Sequence, residues 1–137
     1  MGFNITISTS FLIGIPNVVT LRNSYSVQVG SSVTLQCVVT ADPAHTVVKW
    51  ERFVNGQLQD VTNVGAVGSG SRLTGSQVGT PSLTINQVTF QDEGNYLCTA
   101  TNAVGKGKSQ QTYLGVSGSK FSLILGLKSY EKRDFNF

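Results

Sequence analysis

The chain has 137 residues, a net charge of +3 and only 12% charged residues. That length suits one domain rather than two, and the apolar content is ordinary enough to build a real core. In the last segment Lys120, Lys128, Lys132 and Arg133 stand against Glu131 and Asp134, which leaves +2 there and about +1 elsewhere, and this argues against a nucleic-acid footprint.

Residues 1–15 read as an extension or a poor signal-like segment. The first basic residue is Arg22, and the apolar run Phe11–Ile15 stops at Pro16, whereas a secretory signal wants a positive start and a longer apolar stretch. Met1-Gly2 with Thr6 fits a myristoylation pattern, and Asn4-Ile5-Thr6 makes Asn4 a glycosylation candidate. Pro16–Leu21 and Tyr25–Val29 are predicted as a first strand split at Asn23–Ser24. Gly30 and its two following serines mark a turn. From Ser32 to Val39, Val33, Leu35 and Cys37 alternate with Ser32, Thr34 and Gln36, the period of a strand with one face buried. Ala41–Ala44 is a turn. Val47–Phe53 is the next strand, with Val48 and Trp50 on one face and Lys49 and Glu51 on the other, and Asn55-Gly56 is a hairpin signal.

Val61–Gly70 is rich in Gly and Val with little alternation and reads as an edge strand and loop. A strand opens at Ser71-Arg72-Leu73, another covers Ser82–Ile85 around Leu83, and Gly94–Asn102 puts Tyr96, Cys98 and Ala100 on one face. Ser109–Val116 is the last strand, and Gly105 and Gly107 are expected to supply positive φ to the hairpin before it. Residues 118–137 form a tail expected to be poorly ordered. Its apolar run, Phe121–Leu127, is far short of the ~20 residues of a membrane span. The two imperfect ends read as marks of an incomplete sequence.

The ordered set Val27-Gln28-Val29-Gly30, Cys37, Trp50 and Asp92-Glu93-Gly94-Asn95-Tyr96-Leu97-Cys98 resembles the immunoglobulin superfamily over about residues 16–117. Trp50 follows Cys37 by 13 residues and Cys98 follows it by 61, a spacing similar to the intermediate, or I-set, class of hemicentin-like and neural-adhesion-like proteins. The resemblance implies an all-β immunoglobulin-like sandwich, two antiparallel sheets with one inter-sheet disulfide between Cys37 and Cys98. It implies core or structural roles for Trp50, Tyr96, Leu35, Leu83 and Gly94, with the Tyr96 hydroxyl bonded to backbone upstream. It also implies a structural ion pair between Arg72 and Asp92, because a guanidinium fork suits a carboxylate held against a turn. One disulfide means an oxidising compartment. The alternative is a pair of reduced, buried thiols, as in intracellular muscle I-set domains.

The residues offer no catalytic set. His45 is a lone histidine on a loop, expected to be solvated, and no Ser-His-acid group can be drawn around it. No cluster has metal-ligand spacing, the glycines at 65, 68 and 70 form no phosphate cradle, and no cofactor is implied. Glu93 is expected to face water. Alternation nominates a binding face instead: Lys49, Glu51, Leu97, Thr99, Thr101, Gln111 and Tyr113 should point outward from three adjacent strands, with Leu97 and Tyr113 as apolar groups in water. A second nominee is the loop end around Asp42–His45 and Ala103–Lys108, with Lys106 and Lys108 giving it a positive field.

The leading expectation is a non-enzymatic extracellular recognition or adhesion module, one of several tandem domains, with protein partners and homophilic contact among the options. A titin-like cytoplasmic sarcomeric domain and a secreted innate-immunity domain are the alternatives.

Overall fold

The computed structural model describes residues 13–61 and 72–118. Period-two alternation decides the layering. In β1 (Asn17–Thr20) Val18 turns inward, and in β4 (Cys37–Thr40) Cys37 does. These strands pair antiparallel, while β3 (Val33–Leu35) pairs with β8 (Thr80–Ile85) and β8 with β7 (Leu73–Gln77). Together they form the back layer. The strand predicted over Ser32–Val39 is interrupted at Gln36, because side chains replace two ladder bonds there. Gln36 N–H donates to the Tyr25 hydroxyl (2.9 Å) and Cys37 N–H to Ser82 Oγ (3.0 Å).

The front layer runs β2 (Ser24–Gln28), β11 (Thr112–Ser117), β9 (Gly94–Thr101), β5 (Val47–Val54), β6 (Gln57–Asp60), with β10 (Lys106–Lys108) also on β9. The chain changes layers between β1 and β2, as the split first strand predicts. Thr112 Oγ1 donates to Arg22 O (2.7 Å) and Tyr113 N–H to Asn23 O (2.8 Å), which fixes the crossing. β2 then lies parallel to β11.

The last strand is two pieces rather than one. Lys108 pairs with Thr99 but Thr112 pairs with Tyr96, so the later strand carries one extra residue, a bulge centred near Ser109. Ser109 exchanges bonds with Cys98 through both its N–H and its Oγ (2.9 Å each). The β5–β6 hairpin turns on Asn55 (φ 53°) and Gly56 (φ 81°). The edge strand therefore starts at Gln57, earlier than the expected Val61–Gly70, most of which lies outside the described residues.

Gly105 and Gly107 do not adopt positive φ, contrary to expectation. Asn102 shapes the turn instead, its Oδ1 accepting from the N–H groups of Val104 (2.9 Å) and Gly105 (3.1 Å). Gly107 is needed for closeness, since a Cβ there would lie 2.0 Å from Pro16 O. β10 and β1 close one side of the sandwich at that point.

The core lies between the layers around Trp50, Tyr96, Leu35, Leu83, Ile85 and Leu114. Cys37 and Cys98 are disulfide-bonded with Cα atoms 6.6 Å apart. Trp50 is the cross-strand partner of Cys98, so its indole stands beside the bridge, and its Nε1–H donates to Pro81 O (2.7 Å). This donation lets the largest side chain of the core be buried with no orphaned polar atom.

Candidate recognition surface

Strand β5 faces Lys49 and Glu51 away from the core, and the β5–β6 register brings Asp60 beside them. Lys49 Nζ lies 3.5 Å from Asp60 Oδ2, and Lys106 Nζ lies 3.7 Å from Glu51 Oε2. β5 and β10 flank β9 on opposite sides, so the second pair spans that central strand. Leu97 and Thr99 were expected in water but are 5% and 2% exposed. Glu51 stands directly across from Leu97, Lys49 and Lys108 stand across from Thr99, and Thr99 Oγ1 donates to Lys49 O (3.2 Å). Long charged side chains shelter the short ones on the strand between them.

The accessible part of the nominated face is therefore Lys49, Glu51, Thr101, Gln111 and Tyr113, of which Glu51 and Thr101 are only partly exposed. Tyr113 remains 39% exposed. Its hydroxyl donates to Glu93 Oε2 (2.8 Å), and Glu93 Oε1 accepts from Val116 N–H (2.9 Å). Glu93 does reach solvent, yet it also clamps the end of β11. The bond to Glu93 raises the Tyr113 phenol above its ordinary pKa. Asp60 escaped the sequence reading because its strand was placed after it.

At the loop end, Asn102 Nδ2 donates to Gly14 O (2.8 Å) and Pro43 O (2.9 Å), and Ile13 bridges to Asp42, so the nominated loops do converge. The expected positive field is weaker than the residue types suggest. Lys106 and Lys108 belong to a strand, and Lys106 is turned toward Glu51. His45 is half-buried rather than simply solvated, with Nε2 3.1 Å from Val78 O of the β7–β8 turn.

The opposite end is closed by Asp92, which is fully buried. Arg72 grips it with Nη2 2.9 Å from Oδ1 and Nη1 3.2 Å from Oδ2, while Nη1 also donates to Gln87 O (2.7 Å). Thr89 N–H donates to Asp92 Oδ2 (2.8 Å), and the Tyr96 hydroxyl donates to Asp92 O. Arg52 lies over the Tyr96 ring at 5.6 Å and donates to Gln91 O and Glu93 O. The sequence reading missed Arg52, although it shares the inward parity of Val48 and Trp50. These contacts are internal, and they hold the turn before β9 rigid.

The sequence profile of the immunoglobulin domain matches residues 16–102. The chain belongs to the immunoglobulin-domain family. This domain is 46% identical over 83 residues to the muscle M-line assembly protein unc-89 of Caenorhabditis elegans, a match covering 61% of this chain and 1% of that protein. It is 27% identical over 101 residues to neural cell adhesion molecule 1 of Gallus gallus, covering 74% of this chain and 9% of that protein. The N-terminal Ig1-2 module of the Drosophila receptor protein tyrosine phosphatase DLAR superposes with a TM-score of 0.56 at 25% identity, over 77% of this chain and 47% of that one. The immunoglobulin domain thus spans a small fraction of the curated relatives it matches. Among the described residues no group of His, Cys, Asp and Glu could hold a metal ion, and no helix is long and apolar enough to cross a membrane.

In this immunoglobulin domain, burial pushes the Tyr96 phenol up to about 12, partly opposed by the charge of Arg52. The folded state therefore keeps a proton that the unfolded chain releases near pH 10. Above that pH the unfolded state binds fewer protons, so stability falls, by about 2–3 kcal/mol on reaching the folded pKa. Urea unfolding followed from neutral pH to about pH 12 should show this decline, and Tyr96→Phe should flatten it. A wild-type slope surviving in Tyr96→Phe would assign the decline to other groups.

Proposed function

We propose that this immunoglobulin domain, spanning residues 16–117, is a non-enzymatic protein-recognition unit of a larger cell-surface or matrix protein, its contacts made by the exposed part of the front sheet. The observation that carries this reading is the Cys37–Cys98 bond sealed inside the core, a bond that forms and persists in oxidising compartments. The likeness to an adhesion molecule supports it. Lys49, Glu51, Thr101, Gln111 and Tyr113 offer mixed charge and one aromatic ring on a rigid sheet, the composition of a selective polar contact. Tandem copies would multiply a weak contact by raising effective concentration.

A second reading is favoured by one finding, the 46% identity to a muscle assembly protein. There the domain would be a cytoplasmic structural unit with reduced thiols. The two readings separate on a single measurement. Protein isolated from its own source is unfolded in denaturant, alkylated without prior reduction, then weighed. The recognition reading expects no adduct at Cys37 or Cys98. Adducts at both would overturn it in favour of the muscle reading.

A further inference from the structure

The register of the front sheet sorts its outward side chains into rows that cross the strands. Lys108, Thr99 and Lys49 form one row, and Lys106, Thr101 and Val47 form the next toward the loop end. On the other side of the Lys49 row stand Leu97, Glu51 and, on β6, Asp60. Beyond these come Tyr113, across from Asn95, and Phe53, across from Leu58. Basic residues therefore occupy the half of the face near the loop end. An acidic row, then an aromatic one, occupies the other half.

The ion pairs within this face are loose. Lys49 Nζ and Lys106 Nζ lie 3.5 and 3.7 Å from their carboxylates, longer than a charge-assisted hydrogen bond, and their side chains are 56% and 46% exposed. Each ammonium has three donors, so both keep donors for a further partner. Resting on the reading of this sheet as the recognition surface, we infer that its partner is the same face of a second copy, related by a two-fold axis that lies across the strands level with Trp50 and Cys98. That rotation keeps each strand position and reverses the order of the rows. Lys49 of each copy then meets Glu51 of the other. Lys106 meets the Tyr113 ring and the Glu93 carboxylate bonded to it, and Val47 meets Phe53. Each of these contacts occurs twice, and each sets opposite charges, a cation and a ring, or two apolar groups face to face. The same residues disfavour an axis running along the strands, which would set Lys49 against Lys108. A partner of one charge sign is attracted by one half of the face and repelled by the other.

The size of the face sets the strength. Strands β5 and β9 each have eight residues. At ~3.3 Å per residue and about 4.8 Å between strands, four strand positions outline roughly 500 Å² on each copy, or about 1,000 Å² in a pair. That is the level at which specific but weak association begins, and two twisted sheets can lie face to face over such an area with their strands nearly aligned.

The test is sedimentation equilibrium of the full chain from about 10 µM to about 1 mM. A reversible monomer–dimer equilibrium is expected, weakened at least about tenfold between about 0.05 M and about 0.5 M salt. Lys49→Glu and Glu51→Lys should each weaken it at least about tenfold, because each sets like charges face to face at both copies of the contact. Carried together on one chain they should restore pairing, and so should a mixture of the two single variants. Each variant is checked for an unchanged melting profile, and Lys49→Glu, at the more exposed position, tests the contact alone should Glu51→Lys disturb the fold. Val38→Lys, on the back sheet, should leave pairing unchanged. A chain that stays monomeric throughout, a dimer indifferent to Lys49→Glu, or a folded combined variant that fails to pair would overturn the inference. None of these results alters the thiol state at Cys37 and Cys98, which decides the recognition reading separately.

Discussion

Asp92→Ala should destabilise the domain by about 3–5 kcal/mol, read as a lower urea midpoint at an unchanged slope. The carboxylate is fully buried, and the Arg72 side chain that grips it is only 14% exposed. Removing one partner leaves a desolvated guanidinium without its counter-charge, and it takes the acceptor from Thr89 N–H as well. Replacing both ends of the pair together, Asp92→Leu with Arg72→Met, should cost less than Asp92→Ala alone, since no charge is then stranded. A single variant within about 1 kcal/mol of wild type would show that the buried pair contributes little beyond its own desolvation.

The second large effect belongs to the disulfide. Cys37→Ala with Cys98→Ala opens a loop whose ends are 61 residues apart in sequence. In the chain-entropy account this removes about 4 kcal/mol, a large share of the ~5–15 kcal/mol that holds a typical domain. Both sulfur positions lie in the core beside Trp50, so the loss of packing adds to the loss of constraint. Equilibrium unfolding of the double variant, compared with wild type under identical non-reducing conditions, measures the sum. A shift under about 1 kcal/mol would mean that packing around the indole alone maintains the fold.

The core was legible in the sequence because its signals are local. Cys37, Trp50 and Tyr96 each sit in a run whose period fixes the buried side, and the glycine and acid before Tyr96 define the turn that holds Asp92. The outer surface was less legible, for a reason visible at Leu97 and Thr99. Alternation tells which side of a sheet a residue faces, but not how tall its neighbours are. Their burial depends on β5 and β10 flanking β9 and on the register that places Glu51 and the lysines alongside, and none of this is encoded in β9. Gly105 and Gly107 failed similarly. A glycine near a hairpin signals either a left-handed backbone or a close approach, and only the position of Pro16 separates the two. Asn102 looked like a strand end, although its amide ties two loops and the entering chain together.

The parallel pairing of β2 with β11 carries a mechanical consequence. β2 is reached from the loop end of the sandwich and β11 leaves toward the other end. Tension applied between Ile13 and Gly118 would slide one strand lengthwise past the other. Five register pairs, Ser24 with Tyr113 through Gln28 with Ser117, would then be strained together instead of parting one by one. A patch loaded in shear yields only when its bonds rupture nearly at once, so this contact, behind the four β1–β4 pairs that meet the load first, would resist the pull as one unit.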